Sequence, residues 1–269
     1  MTTLLQISDP HFGAERPDTV EALVRLATQL QPALIAMSGD LTQRARRRQF
    51  DAARAFVSRL APLPVLAIPG NHDIPLFDLV ARWRRPYANY RRAFGAVLEP
   101  AFDTPALLVL GVNTTRAARH TAGEISAAQA ERVAQRLERA QPAQLRVALV
   151  HQPIVAADPA DRHDLLHGRE AALRRWAEAG VDLVLGGHTH LPGIWPVAGL
   201  ARPVYGVQGG TAVSHRLRDG VPNSVNRIDY QLGPDGARRA IVTRYDYDDA
   251  RTEFVAQPAQ TLALAPARP

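Results

Sequence analysis

The chain contains no cysteine among its 269 residues. This absence excludes disulfide bonds, thiolate metal sites and cysteine nucleophiles, so any catalysis must rest on other side chains. No run of about 18 apolar residues is present, so we expect no transmembrane helix. The first residues carry neither a basic nor a long apolar segment. We therefore expect no cleaved signal peptide and a cytoplasmic location.

Lysine is also missing, so all 32 Lys+Arg residues are arginines, and the net charge is +6. Arginine suits bidentate recognition of phosphate. The favoured explanation for most of these residues is nevertheless a GC-rich genome that encodes Arg in place of Lys. The run 44–48 holds four arginines without interleaved aromatics. We interpret it as a solvated helix start near an anionic substrate and not as a nucleic-acid surface.

The apolar share of 46% is enough for one large domain with a sizeable core. We assign residues 1–257 to that single domain. Residues 258–269 are rich in Ala and Pro and are expected to form a loose tail. No internal repeat is visible in the chain.

Short apolar runs alternate with segments of helical periodicity over the first two-thirds of the chain. The predicted strands are 3–8, 33–38, 65–68, 107–113, 145–150 and 182–185. The predicted helices are 19–30, 49–60, 76–94 (broken near Pro86), 126–137 and 170–179. Further along, strands are predicted at 193–198, 203–208, 225–232 and 238–245. This order predicts an α/β core with two packed sheets.

Five polar clusters directly follow predicted strands. They are Asp9-Pro10-His11, Gly39-Asp40, Gly70-Asn71-His72-Asp73, His151 and Gly187-His188-Thr189-His190. Each cluster alone could be a turn or a loop, or in the case of His151 a buried structural histidine. Sheets of this kind place ligands at the carboxyl ends of their strands, so we expect the five clusters to converge. Carboxylate and imidazole ligands suit Mn, Fe, Zn and similar ions.

In this order the clusters resemble the calcineurin-like metallophosphoesterase family. The pattern of that family is Asp-x-His, Gly-Asp, Gly-Asn-His-Asp/Glu, a lone His and Gly-His-x-His, and the match covers about two-thirds of the chain. The resemblance implies a four-layer α-β-β-α sandwich of two packed mixed sheets flanked by helices. It also implies two divalent or mixed-valence metal ions, with Mn²⁺, Fe²⁺/Fe³⁺ or Zn²⁺ as candidates.

The resemblance assigns a role to each motif residue. Asp9, His11 and His190 would hold one metal, Asn71, His151 and His188 would hold the other, and Asp40 would bridge them. His72 looks like the family's catalytic histidine, and Asp73 would orient it through the second ring nitrogen. The implied reaction is in-line attack on phosphorus by a hydroxide that bridges ions about 3.5–4 Å apart, while His72 protonates the leaving oxygen.

Segments 41–44, 209–214 and 222–226 place the resemblance near the class III cyclic-nucleotide phosphodiesterases. The Gly-Asn-His-Asp form also differs from the lipid A pathway pyrophosphatases, which usually carry Arg where His72 stands. We therefore expect a phosphodiester substrate, with 3′,5′-cyclic AMP or a related cyclic nucleotide as the leading candidate. The alternatives are a phosphomonoesterase, a nucleotide-lipid pyrophosphatase, a glycerophosphodiesterase and a nuclease. A non-catalytic scaffold is disfavoured, because no ligand position has been lost.

Candidate substrate contacts are Asn71, His72, Arg44 and His215, and Arg216 beside His215 could also contact substrate phosphate. Asn113 could support the site by contacting its ligand residues and not the substrate. His120, His163 and His167 are interpreted as surface or loop residues. The aromatic residues Trp83, Tyr87 and Tyr90 could stack on a base, but core or subunit contacts are favoured.

The expected partner is a small phosphodiester, without a membrane span and without nucleic-acid binding. Because members of the family are often dimers, the resemblance also allows a homodimer.

Overall fold

Two mixed β-sheets pack face to face in the computed structural model, which describes residues 1–156 and 158–266. The strands are β1 (Thr2–Ile7), β2 (Leu34–Met37), β3 (Val65–Ala67), β4 (Ala101–Thr104), β5 (Leu107–Gly111), β6 (Leu145–Leu149), β7 (Leu183–Gly186), β8 (Gly193–Pro196), β9 (Tyr205–Gln208), β10 (Ser224–Leu232), β11 (Arg238–Asp248), β12 (Glu253–Ala256) and β13 (Gln260–Ala263). The helices are α1 (Pro17–Leu30), α2 (Arg47–Arg59), α3 (Leu79–Arg84), α4 (Ala88–Phe94), α5 (Ala127–Glu138) and α6 (Arg169–Ala179). Short 3₁₀ helices cover Asn71–Asp73 and Pro159–Asp164.

The first sheet has the order β12-β11-β10-β1-β2-β3, and β13 pairs with the first half of β11. The second sheet has the order β4-β5-β6-β7-β9-β8. Strands β1, β2 and β3 are parallel to one another, as are β5, β6, β7 and β9. The parallel strands of each sheet therefore end at a common edge, which is where such sheets place their ligands.

The helices cover the two outer faces of the sandwich. Successive strand residues face opposite sides of a sheet, so Leu4 points between the sheets while its neighbour Leu5 points to the outer face. There Leu5 belongs to the cluster that packs α1 and α2 on the first sheet. On the second sheet, Val184 belongs to the cluster that includes Trp176 of α6. The α-β-β-α arrangement implied by the resemblance is thereby confirmed.

The expected loose tail is wrong for part of its length. Residues 260–263 form β13, and Leu262 and Leu264 are 2% and 8% exposed against the core between the sheets. Pairing with β11 and burial of Leu262 and Leu264 in the core outweigh the Ala- and Pro-rich composition there. The last residues, 267–269, lie outside the described part of the chain.

Two further strands differ from the sequence predictions. Strands β4 and β12 were not predicted, and both are short strands at or near a sheet edge. The predicted helix 76–94 is two short helices, α3 and α4, separated near Pro86 as expected. No helix in the described part of the chain has the length and apolar character needed to cross a membrane.

Candidate metal centre

The ends of five parallel strands deliver the polar clusters. Asp9 follows β1, Asp40 follows β2 and Asn71 follows β3 in the first sheet, while His151 follows β6 and His188 follows β7 in the second. The sheets face each other, so these ends meet at one end of the sandwich. The convergence expected from strand-end placement therefore occurs.

One ligand-type group consists of Asp9, His11 and His190. Nε2 of His11 lies 3.0 Å from Nε2 of His190 and 3.8 Å from Oδ1 of Asp9. The same Asp9 oxygen lies 3.5 Å from Nε2 of His190. All three side chains are buried, so their donor atoms converge on one point away from bulk water.

A second group contains Asp40, His151 and His188. Nε2 of His151 lies 3.3 Å from Oδ1 of Asp40 and 3.1 Å from Oδ1 of Asn71. The rings of His151 and His188 are edge to face, with centroids 5.2 Å apart. Asn71 therefore contacts this second group, as its predicted role requires.

Asp40 connects the two groups through different oxygens. Its Oδ1 faces His151 at 3.3 Å, and its Oδ2 lies 3.7 Å from Nε2 of His11. One carboxylate thus contacts a histidine of each group, which is the geometry of a bridging ligand.

The donor atoms fit metal ions. Within the described residues, Oδ1 of Asp9 and Nδ1 of His188 are buried without a hydrogen-bond partner. Buried polar atoms are nearly always hydrogen-bonded, so an orphaned oxygen and nitrogen beside other ligand-type atoms are satisfied best by a cation. Carboxylate, amide and imidazole donors without thiolate suit Mn, Fe or Zn.

The protonation of the cluster reflects its burial. Burial lowers the pKa of His11 to about 3, so this imidazole is neutral and available as a ligand. Burial alone would also lower the pKa of His151, but the charge of Asp40 overcomes this and raises it to about 9.

Five residues of the cluster have left-handed backbone conformations. The φ angles are 48° at Asp9, 46° at His11, 49° at Asp40, 78° at His188 and 61° at His190. Such angles are uncommon outside glycine and cost about 1–3 kcal/mol each, and they concentrate at functional sites. The sharp turns they produce let one strand end supply two side chains to the same centre.

Glycines make room for the ligands. Gly39 has a φ of +100°, and a Cβ there would come within 2.6 Å of Nδ1 of His151. A Cβ at Gly187 would overlap Oγ of Ser8 and Oδ2 of Asp9. The Gly-Asp and Gly-His patterns are thus explained by close approach of the backbone to neighbouring ligands.

Backbone carbonyls hold two of the histidine rings from behind. Nδ1 of His151 donates to the carbonyl of Ser38 at 2.8 Å, and Nδ1 of His190 donates to the carbonyl of Arg216 at 2.7 Å. Such contacts fix the orientation of each ring, with Nε2 directed toward the centre.

Asp164 is a residue that the sequence analysis missed. Its Oδ1 lies 3.3 Å from Nε2 of His188, and this contact holds the pKa of Asp164 below its usual value. The nearby Asp161 is 4% exposed and pairs at 2.8 Å with Arg218, which also donates to the carbonyl of Thr189. No motif contains Asp164, and only the path of the 158–164 loop brings it to His188.

The predicted pairing of Asp73 with His72 is wrong. Nδ1 of His72 lies 2.8 Å from the carbonyl oxygen of Gln43, so a backbone group orients the ring. The Asp73 carboxylate instead accepts hydrogen bonds from the amides of Leu41, Thr42 and Gly70 and from the Thr42 hydroxyl. Asp73 is buried and ties together the loops that carry Asp40 and Asn71, because its two oxygens satisfy backbone donors of both.

A depression of about 280 Å³ opens beside the cluster. Asn71, His72, Arg44, His120 and Arg216 are among the residues that line it. Nη1 of Arg216 lies 3.0 Å from Nε2 of His72, so a guanidinium and the imidazole face the same space. The predicted substrate contacts Asn71, His72 and Arg44 thus share this depression. His120, which we interpreted as a surface or loop residue, also lines the depression.

His215 does not lie at this depression. It is exposed and lines a different surface hollow with Glu15, Arg48 and Gln49. The chain bends at His215, and its neighbour Arg216 lies at the depression beside the cluster. His215 therefore does not share the depression with the other predicted substrate contacts, whereas Arg216 does.

The remaining candidates lie farther from the chemistry. Oδ1 of Asn113 accepts from the amide and hydroxyl of Thr115, so it stabilises a turn. Tyr90 is 1% exposed and donates to the carbonyl of Ala67, which makes it a core residue. Tyr87 contacts Thr115 through its hydroxyl at 2.8 Å. Of the other candidates, Trp83, His163 and His167 are exposed.

The sandwich and its strand-end carboxylate–histidine groups define a metal-dependent phosphoesterase. Residues 2–192 match the family model described as calcineurin-like phosphoesterase, and the chain belongs to that family. A search of curated protein sequences found no match.

Solved structures agree with this fold. The purple acid phosphatase PPD1 from yellow lupin (Lupinus luteus) seeds superposes with a TM-score of 0.71 at 11% identity, over 97% of this chain and 53% of the lupin chain. Vacuolar Protein Sorting 29 from Cryptosporidium parvum has a TM-score of 0.52 at 13% identity, over 97% and 98% of the two chains. TT1561 of Thermus thermophilus has a TM-score of 0.50 at 16% identity, over 97% and 98%. The chain thus spans about half the length of the lupin phosphatase, and at these identities the likeness concerns the fold alone.

Proposed function

We propose that this protein hydrolyses phosphodiesters with a pair of metal ions, and that 3′,5′-cyclic nucleotides such as cyclic AMP are its substrates. The observation that carries the proposal is the position of Asp40, whose two oxygens contact His11 and His151 in separate ligand groups. Asp9, His11 and His190 would hold one ion, and Asn71, His151 and His188 the other. Two ions in these positions would activate water and neutralise charge at phosphorus.

His72 and Arg216 would act on the substrate itself. The carbonyl of Gln43 holds Nδ1 of His72, so Nε2 is the ring atom directed at the depression. A phosphate oxygen placed beside Arg216 would accept from its guanidinium, which suits phosphate through a pair of parallel donors. The leaving oxygen would then lie near Nε2 of His72, and the imidazolium form of this ring would supply its proton, a role typically worth about 10²–10⁴-fold in rate.

The dimensions of the depression favour a small substrate. Its volume of about 280 Å³ is at the lower end for small-molecule sites. Arg44 and Arg216 supply positive charge, while Ile74 and Leu76 supply apolar surface against which a nucleoside could pack. A phosphodiester with one compact organic group satisfies both features.

Metal content tests the centre directly. After reconstitution with Mn²⁺ and removal of free ions, the wild-type chain should retain about two ions. Asp40→Asn should lower the content toward zero, because its carboxylate contacts both groups, whereas His11→Ala should chiefly lower it by one. His167→Ala is the matched control, since that side chain is exposed and lies outside the ligand groups. A wild-type chain that binds no Mn, Fe or Zn would refute the proposal.

A hydrolysis screen on one metal-loaded preparation tests the substrate. It would compare bis(p-nitrophenyl) phosphate, 3′,5′-cyclic AMP, p-nitrophenyl phosphate, a nucleotide-lipid pyrophosphate and a glycerophosphodiester. We expect kcat/KM to be highest for the cyclic nucleotide and higher for diesters than for monoesters. A clear preference for the monoester or for the pyrophosphate would replace the diester assignment while leaving the metal centre intact.

A further inference from the structure

An exposed apolar surface follows the candidate catalytic loop. Phe77, Leu79, Val80 and Trp83, called here the apolar patch, are 76%, 63%, 66% and 65% exposed. Only a few other large apolar side chains of the described residues are exposed, and those are scattered along the chain. Exposed apolar side chains grouped in this way mark an interaction surface more often than single ones do.

The fold holds the apolar patch outward. Arg82 lies among these residues in α3 but is 7% exposed, and its guanidinium donates to the carbonyls of Pro75 and Arg119 at 3.0 and 2.8 Å. Successive helix residues are turned by about 100°, so Leu79, Trp83, Val80 and Arg84 follow one another on the arc away from Arg82. The buried arginine thus fixes the helix with its apolar arc toward solvent.

Positive charge borders the apolar patch. Arg84 and Arg85 directly follow Trp83 and are exposed, and the Arg44 guanidinium lies 5.4 Å from the Phe77 ring centroid. The acidic residue of segment 76–90 is Asp78, whose carboxylate accepts from the amide of Ala81 at the start of α3. Within the described residues, neither Arg84 nor Arg85 forms an ion pair. A complementary partner is therefore apolar and negatively charged at once.

We propose that the apolar patch docks on the surface of an anionic lipid bilayer. Leu79, Val80 and Trp83 would enter the boundary between headgroups and acyl chains, where aromatic rings and aliphatic side chains are stable. Arg84 and Arg85 would contact lipid phosphates at the surface. A second copy of the chain fits less well, because a two-fold contact through this patch would bring the same arginines of both copies together.

Docking would orient the depression toward the lipid. Arg44, which lines the depression, lies 5.4 Å from the ring centroid of Phe77 in the apolar patch. The patch and the depression therefore share one side of the molecule. Lipid docking does not depend on the proposed reaction, since it is measured without turnover.

Cosedimentation of the full chain with vesicles tests the proposal. Binding should be strong to phosphatidylcholine vesicles that contain phosphatidylglycerol and weak to vesicles of phosphatidylcholine alone. Trp83 emission should shift to the blue on binding, and Trp83→Phe should remove the shift while keeping the binding. The other tryptophans serve as an internal reference, because Trp176 is fully buried and Trp195 is partly buried.

Two double variants separate the contributions of apolar contact and charge. Leu79→Ser/Trp83→Ser and Arg84→Gln/Arg85→Gln should each weaken binding to the anionic vesicles by about tenfold or more. Leu232→Ser is the control, since Leu232 is 49% exposed outside the patch and should bind as the wild type does. Circular dichroism and hydrolysis of bis(p-nitrophenyl) phosphate without vesicles confirm that each variant is folded.

Three results would overturn the proposal. They are a wild-type chain that does not bind anionic vesicles, a Leu79/Trp83 variant that binds as the wild type does, and a wild-type dimer that this variant converts to monomer in sedimentation velocity. The last result would assign the apolar patch to a contact between two copies. Loss of vesicle binding with unchanged hydrolysis would support lipid docking and leave the proposed reaction unaffected.

Discussion

Asp164 lies 3.3 Å from Nε2 of His188, while Nδ1 of the same ring is buried and has no hydrogen-bond partner among the described residues. The imidazole is therefore held from one side and presents its other nitrogen to the candidate metal centre. A carboxylate in this position fixes the tautomer and the orientation of a ligating histidine.

Removing the charge of Asp164 should weaken metal binding. We expect Asp164→Asn to lower the affinity for the second ion by about 10–100-fold, as loss of such outer contacts typically does. Competition with a fluorescent chelator measures the affinity without turnover. Glu170→Gln is the control, because that carboxylate is 71% exposed. Unchanged affinity in the Asp164 variant would mean that the contact does not position His188.

Asp73 should matter for stability more than for proton transfer. Asp73→Asn places an amide NH₂ against backbone donors, so we expect a loss of about 1–3 kcal/mol in the free energy of unfolding together with poorer metal retention. His72→Ala should keep both metals and lose most of the activity. Urea unfolding and metal analysis of the two variants distinguish these effects. If the Asp73 variant is as stable as the wild type yet inactive, its partner is His72 after all.

Arg216 and His215 form a matched pair of adjacent positions. Arg216→Ala should raise KM and lower kcat for a diester, because its guanidinium lies beside His72 in the depression. The loss should be about 1.5–3 kcal/mol in kcat/KM, the contribution of a hydrogen bond to a charged group. His215→Ala should behave as the wild type, since that side chain lines another hollow. Steady-state kinetics on bis(p-nitrophenyl) phosphate measure both, and equal losses would refute the assignment.

A buried ion pair joins the two sheets on the side away from the centre. Arg238 in β11 contacts Asp182, just before β7, at 2.6 and 2.9 Å, and both side chains are 0% exposed. Arg238→Met leaves the carboxylate with Arg202 as a remaining partner at 2.9 Å. We expect destabilisation near the lower end of the range of about 3–5 kcal/mol for a broken buried pair.

Urea unfolding followed by circular dichroism measures this effect. Arg136→Met is the control, because Arg136 and Asp103 form a half-exposed pair that should contribute about 0–1 kcal/mol. A loss below that of the control would show that the Arg238 pair does not hold the sheets together.

Much of the fold follows from local pattern. The apolar run 33–38 predicts β2, because a strand buried on both faces is apolar throughout. The helical periodicity of 49–60 predicts α2, because burial of one helix face repeats apolar residues at helical spacing. Strand β13 escaped prediction, since its four residues, Gln-Thr-Leu-Ala, do not alternate between apolar and polar and lie within an Ala- and Pro-rich segment. Short edge strands carry little periodic signal, and pairing with a neighbour decides whether they form.

The candidate ligands were recognisable from the sequence because their motifs are local. Asp9-Pro10-His11 and Gly187-His188-Thr189-His190 each adjoin a strand, and parallel strands bring their ends to one edge whatever the length of chain between them. The sequence by itself therefore determined the candidate ligand set and the family.

Only the tertiary structure decided what surrounds those ligands. The carbonyl of Gln43 behind His72, the approach of Asp164 to His188 and the turn of Arg216 toward the depression depend on loop paths and backbone groups. A carbonyl is present at every residue and carries no sequence signal. A single side chain 24 residues from its partner carries none until the chain is folded.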